Sequence, residues 1–319
     1  YGPKLATVAK ATLYSLMPPG SIIKSPDSLW NNPLWASLLL GHAVRGGRVL
    51  VIAPTQQTAP ARSSIALSRA QEVLGRLVMA EDILHEQIEG AGGLLKVGLY
   101  NPEVGVADIP GKAHQFVRTH EETGWLGELY PFAPGMLEEV RELADSMSAA
   151  GFHARYLEGE ALDSPRLHMK AHYMASRTGW ESMLSRPEFT SFFLQYLRER
   201  AVQVAERGQD RDLRAMTGNL TPDIRRLYAA CGRAMPEESR AGALWYLTVG
   251  SQNQNIRSMA LDGEVLVVVA GLDAQAALAD FVLLTGLVTW LDTPEEMESY
   301  LPAASGFKRR LSRWLKLGA

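Results

Sequence analysis

Three polar side chains alternate along one short apolar segment. They are His168, Lys170 and His172, within the sequence LHMKAHYM that begins at Leu167. Successive side chains of a strand point to opposite faces, so the three would share one face while their apolar neighbours share the other. Burying three such groups is costly unless they serve a purpose. We therefore expect a functional site here, with a half-exposed edge strand as the alternative.

A second segment, VGSQNQNIRS, begins at Val249 and holds small polar residues directly after an apolar run. Gly250 allows close approach of the backbone, and Ser251 and Asn253 carry groups that hydrogen-bond an anionic oxygen. Asp262-Gly263 predicts a turn before the next apolar run. Taken alone, such a segment is most often a polar loop.

Together the two segments resemble the phospholipase D superfamily. That family carries His-x-Lys, usually followed by Asp after four residues, and then Gly-Ser-x-Asn with an Arg-Ser and a carboxylate downstream. His168-Met169-Lys170 matches the first motif. The second is matched by Gly250-Ser251-Gln252-Asn253, Arg257-Ser258 and Glu264. Only these two segments are specific.

The resemblance implies a two-step phosphodiester transfer that needs no metal or other cofactor. One imidazole attacks phosphorus, and another protonates the leaving oxygen and then activates water. By resemblance, His168 is the nucleophile or the acid, and Lys170 and Asn253 hold the phosphate oxygens. Ser251 would support the same pocket, and Glu264 would hold the second nitrogen of an active-site histidine.

Three features depart from the family pattern. Ala175 stands where the family usually has Asp, and Lys170 and Gly250 are 80 positions apart, farther than in the family. The chain also has a single His-x-Lys, whereas the family uses two in each active site. The second histidine would come from another half of the same parent protein or from a homodimer mate. Because Tyr1 is not a start methionine, the sequence favours the first source.

Short continuous apolar runs around both motifs predict buried strands. The predicted strands cover residues 48–54, 94–100, 154–157, 166–174, 245–250 and 264–270, and predicted helices cover 32–45, 63–90 and 134–150. This alternation predicts an α/β fold with a mixed, mostly buried sheet flanked by helices. In the terms of the resemblance, it would be a phospholipase D-like α-β-α sandwich.

Three units are expected along the chain. Residues 1–185 and 243–306 would form the phospholipase D-like α/β domain. Residues 186–242 have helical periodicity and no strand pattern, which predicts a helical insertion. Residues 307–319 predict a basic amphipathic C-terminal helix, which would lie on an anionic membrane surface or dock on the domain.

Composition narrows the classes of protein. The 319 residues are 46% hydrophobic and 21% charged, as in ordinary globular proteins. A single cysteine, Cys231, excludes an internal disulfide and a thiolate zinc cluster. No apolar run reaches the roughly 18 residues of a membrane span, and residues 276–291 predict a buried helix. We therefore expect a soluble or peripheral membrane protein.

The net charge of −3 gives no basic field for nucleic acid, so a phospholipid is the favoured phosphodiester substrate. The alternative function is a degenerate half that serves as a lipid- or protein-binding scaffold. A metal held by His168 and His172 is a further alternative, although no convincing third ligand lies nearby in sequence.

Overall fold

A seven-stranded sheet organises the part of the chain that the computed structural model describes, namely residues 5–28, 30–59, 64–105, 108–152, 167–209, 244–251, 265–271, 274–275 and 277–301. In chain order, its strands are β1 Ile22–Pro26, β2 Arg48–Pro54, β3 Leu94–Tyr100, β4 Ala171–Ala175, β5 Trp245–Gly250, β6 Leu266–Ala270 and β7 Val288–Leu291.

The strand order is β6-β5-β4-β1-β2-β3-β7. The central strands β1, β2 and β3 are parallel to one another. Antiparallel pairing joins β4 to β1, β5 to β4, β6 to β5 and β7 to β3. The fold is therefore mixed α/β, and strands from both sides of the 186–242 segment share one sheet.

Helices cover both faces of this sheet. They are α1 Leu5–Leu16, α2 Pro33–Val44, α3 Ser64–Gly90, α4 Ile109–Glu122, α5 Gly124–Leu129, α6 Met136–Ala149, α7 Arg177–Leu184, α8 Pro187–Gln209 and α9 Leu278–Thr285, with a 3₁₀ helix at Glu296–Ser299. One apolar core lies under α1, α2 and α3, and a second core lies under α4 to α9. None of the described helices is long and apolar enough to cross a membrane.

Strand β2 is continuously apolar because both of its faces are buried. Leu50 and Ile52 enter the core under α4 to α9, whereas Val49 and Val51 enter the core under α1 to α3. Because alternate side chains of a strand enter different cores, both sets must be apolar. The helix that precedes β2 begins as the sequence predicts, since the Asn32 side chain accepts a hydrogen bond from the Leu34 amide at 3.0 Å.

Most predicted elements are confirmed, with small shifts. Strands β2, β3 and β5 have the predicted limits, while the strand predicted at 166–174 is observed at 171–175 and the one at 264–270 starts at 266. The helix predicted for 276–291 is wrong in its second half, because the chain turns after Thr285 and forms edge strand β7. Strand β1 was missed. The strand predicted at 154–157 lies outside the described residues.

Helix α8 occupies the first part of the segment predicted as a helical insertion. This helix buries an apolar face, which comprises Phe189, Phe192, Phe193, Tyr196 and Leu197. Residues 210–242 lie outside the described part of the chain, as does the predicted helix 307–319.

Candidate functional site

The sheet brings the two sequence motifs to one edge. Strands β4 and β5 are antiparallel, with Ala171 opposite Val249. His168 and Lys170 come directly before β4, and Ser251 comes directly after β5, so all three lie at the same end of adjacent strands. The parallel strands β1, β2 and β3 also end here, because β4 runs antiparallel to β1.

The backbone around His168 is held by loops that follow β1 and β2. The Leu167 amide donates a hydrogen bond to the Thr58 carbonyl at 3.0 Å, and the Ser28 amide donates to the Met169 carbonyl at 3.1 Å. The backbones of Lys170 and Asp27 form an isolated antiparallel β-bridge. The site segment is therefore fixed on both sides before β4 begins.

The predicted alternation of side chains holds along this segment. Leu167, Ala171 and Tyr173 enter the core under α4 to α9, and Met169 packs against it. His168 is exposed, and Lys170 is half-buried. Partial desolvation, with a smaller effect of the Lys170 charge, lowers the pKa of His168. A lowered pKa favours the neutral imidazole, the form that acts as a nucleophile or base.

His172 follows on the same face as Lys170 but lies in the interior. Its Nδ1 is 2.5 Å from both the Tyr14 hydroxyl and the Ser25 hydroxyl. On the other side of the ring, Nε2 is 3.4 Å from Lys10 Nζ and 3.6 Å from Asp27 Oδ2. Burial, and secondarily the Lys10 charge, lower the pKa of His172 well below its usual value.

Ser25, His172 and Asp27 are the residue types of a hydrolytic triad, but all three are fully buried. A substrate cannot reach the Ser25 hydroxyl, so the group is not an active site of that kind. Its effect is structural: it joins α1, β1 and β4 beneath the edge that carries Lys170.

Gly250 and Ser251 close the connection between β5 and β6. The Ser251 amide donates to the Val265 carbonyl, and the Ser251 hydroxyl accepts from the Val265 amide, both at 3.0 Å. A Cβ at position 250 would overlap the Val265 oxygen, which explains the glycine. The Ser251 side chain is exposed at the predicted edge. The other two predicted site residues, Asn253 and Glu264, lie outside the described residues.

The surroundings of Ala175 explain why this position lacks the Asp of the motif. Its side chain is buried in the core under α4 to α9, on the opposite face from His172. A carboxylate at this position would enter an apolar core. The residue that replaces the motif's Asp therefore faces away from the candidate site.

Sequence analysis missed several polar residues at this edge. Asp27 is not among the predicted site residues, although it follows a buried strand directly. Asn31 is fully buried in the next turn, and neither polar atom of its amide has a hydrogen-bond partner within the described residues. Lys112, in the first turn of α4, is buried beside Arg200, and burial with that neighbouring charge lowers its pKa to about 8.

Metal binding finds no support in the described part of the chain. It contains no group of three or more His, Cys, Asp and Glu side chains placed to hold an ion. His172, the second ligand of the metal alternative, is instead surrounded by Tyr14, Ser25, Lys10 and Asp27.

Comparison with known proteins leaves the family open. No family model, no curated protein and no solved structure matches this chain. Any assignment of function therefore depends on the residues at this edge of the sheet.

Proposed function

We propose that this chain is one half of a phospholipase D-like phosphodiesterase or phosphatidyltransferase. The observation that carries the proposal is the meeting of His168 and Lys170 with Ser251 at the same end of two adjacent strands, although 80 positions separate Lys170 from Gly250. This adjacency supplies an imidazole and an ammonium group beside a Gly-Ser turn, as the motifs require.

His168 would be the nucleophile. Its neutral ring attacks phosphorus and forms a P–N bond while the bond from phosphorus to the leaving oxygen breaks. A second imidazole gives its proton to that oxygen, then takes a proton from water or an alcohol as this acceptor attacks phosphorus and releases His168. Lys170 stabilises the negative charge on the transferring group in both steps.

The second imidazole has to come from another half-domain. His168 is the only one of the seven histidines that is followed by lysine two positions later. His172 cannot replace the missing group, because it is fully buried beneath the edge. We therefore propose a second half that faces His168, supplied by the same parent protein or by a homodimer mate.

The test measures hydrolysis of bis-p-nitrophenyl phosphate by the intact parent protein or its dimer in excess chelator. We expect His168→Ala to lower kcat/KM by a hundredfold or more, on the order of the contribution of a catalytic acid or base. His114→Ala is the control, because His114 is partly exposed on α4 and pairs with Asp145. Full activity of His168→Ala, or loss of activity on chelation alone, would contradict the proposal.

The second candidate function is a degenerate half that binds phosphate without turnover. Ala175 and the single His-x-Lys favour it. In that case the wild-type protein, with its second half present, would bind inorganic phosphate in a Lys170-dependent manner. It would hydrolyse no phosphodiester.

A further inference from the structure

The described residues between positions 5 and 44 expose no charge. Residues 5–44 contain three charged side chains, Lys10, Lys24 and Asp27, and all three are buried. With 21% charged residues in the whole chain, a stretch of this length would carry about eight, most of them in water. Among the described residues, the outer surface of α1 and α2 therefore lacks the charges of a water-facing surface.

Several exposed positions of these two helices carry aliphatic side chains. Leu5 is 83% exposed and Leu16 is 70% exposed on α1, with Val8 at 44%, and Leu34 is 43% exposed at the start of α2. We call the outward side chains of these two helices the charge-free face. Its members are Leu5, Val8, Thr12, Ser15, Leu16, Leu34 and Ser37.

The serines of this face satisfy their hydrogen bonds inside their own helices. The Ser15 hydroxyl donates to the Ala11 carbonyl at 2.9 Å, and the Ser37 hydroxyl donates to the Pro33 carbonyl at 3.0 Å. A hydroxyl bonded in this way leaves no donor that needs water. The face can therefore enter an apolar medium at little cost in lost hydrogen bonds.

Helix α1 is inverted relative to an ordinary surface helix. A surface helix turns its apolar side to the core and its polar side to water. Here Lys10 and Tyr14 point inward to His172, while Leu5, Val8 and Leu16 point outward. An outward apolar side of this kind is typical of a surface that contacts apolar material.

The charge-free face adjoins the candidate site. Helix α2 begins at Pro33, just after the loop that carries Asp27 and Ser28. Tyr14 contacts Ser25 near the end of β1, so the first turns of α1 extend towards the same edge. A flat apolar partner on this face would therefore cover the helices that lie over this end of the sheet.

We propose that the charge-free face rests on the surface of a phospholipid bilayer, in the headgroup and upper acyl-chain region. The choice of lipid over a protein partner rests on the proposed function, which needs lipid phosphodiesters beside this edge. It also rests on the described residues of the charge-free face, none of which carries a charge that would complement a charged partner. Because the attraction is apolar, binding depends on neither anionic lipid nor ionic strength.

The bound state is reversible. The gain from burying each of these aliphatic side chains is limited, because they are already partly covered. Leu5, Val8, Leu16 and Leu34 together give an affinity comparable to that of a single acyl anchor.

Sedimentation with vesicles of pure phosphatidylcholine tests the proposal on the full-length protein. The variant Leu5→Glu/Leu16→Glu places two charges on the face, and we expect it to lose at least tenfold in vesicle affinity. Val267→Glu is the matched control, because Val267 is 52% exposed on edge strand β6. We expect the control to bind like the wild type, and vesicles with added phosphatidylglycerol or half-molar salt to change the affinity less than threefold.

Three results would overturn the proposal. One is a wild-type protein that stays in the supernatant. Another is equal loss of binding in Val267→Glu. The third is a dimer by light scattering that Leu5→Glu/Leu16→Glu converts to monomer while vesicles have no effect, which would assign the face to a second copy of the chain.

Turnover of the soluble diester separates this proposal from the proposed function. Leu5→Glu/Leu16→Glu should retain that turnover, because neither residue belongs to the site. If the protein binds vesicles but hydrolyses no diester, the proposed function is wrong and the proposed membrane-binding face is still supported.

Discussion

Asp27 and Lys170 are cross-strand neighbours at the ends of β1 and β4. The Asp27 carboxylate is fully buried, and its Oδ2 lies 3.6 Å from His172 Nε2. An ionised carboxylate is tolerated in an interior only when cations or donors surround it. The lysine of the candidate site is thus tied to a buried polar cluster that reaches Lys10 on α1.

Asp27→Asn should destabilise the protein through this cluster. Removing one partner of a buried ionic group leaves the others uncompensated, at a cost of about 3 kcal/mol or more. Urea unfolding measures the change in the free energy of unfolding. Asp145→Asn, at an exposed position on α6, is the control and should stay within about 0.5 kcal/mol of the wild type. A small change for both variants would mean that the charge of Asp27 has little effect on the fold.

Substitutions can separate the contributions of the two ring nitrogens of His172 to stability. Asn retains a polar atom near the position of Nδ1, and Gln retains one near Nε2. The Nδ1 contacts with Tyr14 and Ser25 are 2.5 Å, whereas the Nε2 contacts are 3.4 and 3.6 Å. We therefore expect His172→Asn to be more stable than His172→Gln by about 1 kcal/mol, and His172→Phe to be the least stable. The reverse order of stability in urea unfolding would mean that the Nε2 contacts with Lys10 and Asp27 stabilise the fold more than the Nδ1 contacts do.

His120 should make the fold sensitive to acid. Burial, with a smaller effect of the Lys24 charge, lowers its pKa to about 3. The folded state therefore prefers neutral His120, whereas the unfolded chain takes up a proton below about pH 6.5. The contribution of His120 to the free energy of unfolding is fully present above about pH 6.5. It falls by up to about 1.4 kcal/mol per pH unit as the pH drops towards 3.

His120→Phe should remove this part of the pH dependence, because Phe116, Tyr130 and Phe132 surround the ring. Unfolding temperatures between pH 7 and pH 4 measure it. Tyr130→Phe is the control and should retain the wild-type slope, since it changes a neighbouring ring without removing the histidine. An unchanged slope in His120→Phe would assign the acid sensitivity to other groups.

Two glycines should respond oppositely to alanine. A Cβ at position 250 would overlap the Val265 carbonyl oxygen, so Gly250→Ala should separate β5 from β6 and cost about 1–3 kcal/mol. At Gly75, within α3, a Cβ meets nothing within 4 Å, so Gly75→Ala should stabilise by about 0.5–1 kcal/mol. Thermal unfolding of both variants measures the difference. Equal effects would mean that the hairpin relaxes around the added methyl group.

Sequence patterns predicted the buried strands whose residues are apolar throughout, such as β2 and β3. They failed for the central strand β1, because its five residues include Lys24, Ser25 and Pro26. Lys24 is buried with its ammonium group 4.5 Å from the centre of the Tyr130 ring, a tertiary contact that no local pattern reveals. Strand β7 was missed because no charged residue separates it from the apolar run of α9.

The candidate site was predicted in part for similar reasons. Period-two alternation correctly separated Ala171 and Tyr173, which enter one core, from His172, which faces the other way. It could not predict depth, so the exposure of His168 and the complete burial of His172 emerge only when α1 covers the strand. Asp27 joins the cluster through the pairing of β1 with β4, which is a long-range contact.

The pairing of β1 with β4 also sets the order of assembly. Ile22 pairs with Ala175, 153 positions later in the chain. Contacts so distant in sequence form slowly, because a long loop must close before they contribute. During synthesis, β1, β2 and β3 can associate early, whereas the edge that holds His168 must wait until β4 has left the ribosome and found β1. The buried face of α1 stays without its histidine partner until then, and such transiently exposed surfaces are prone to aggregation.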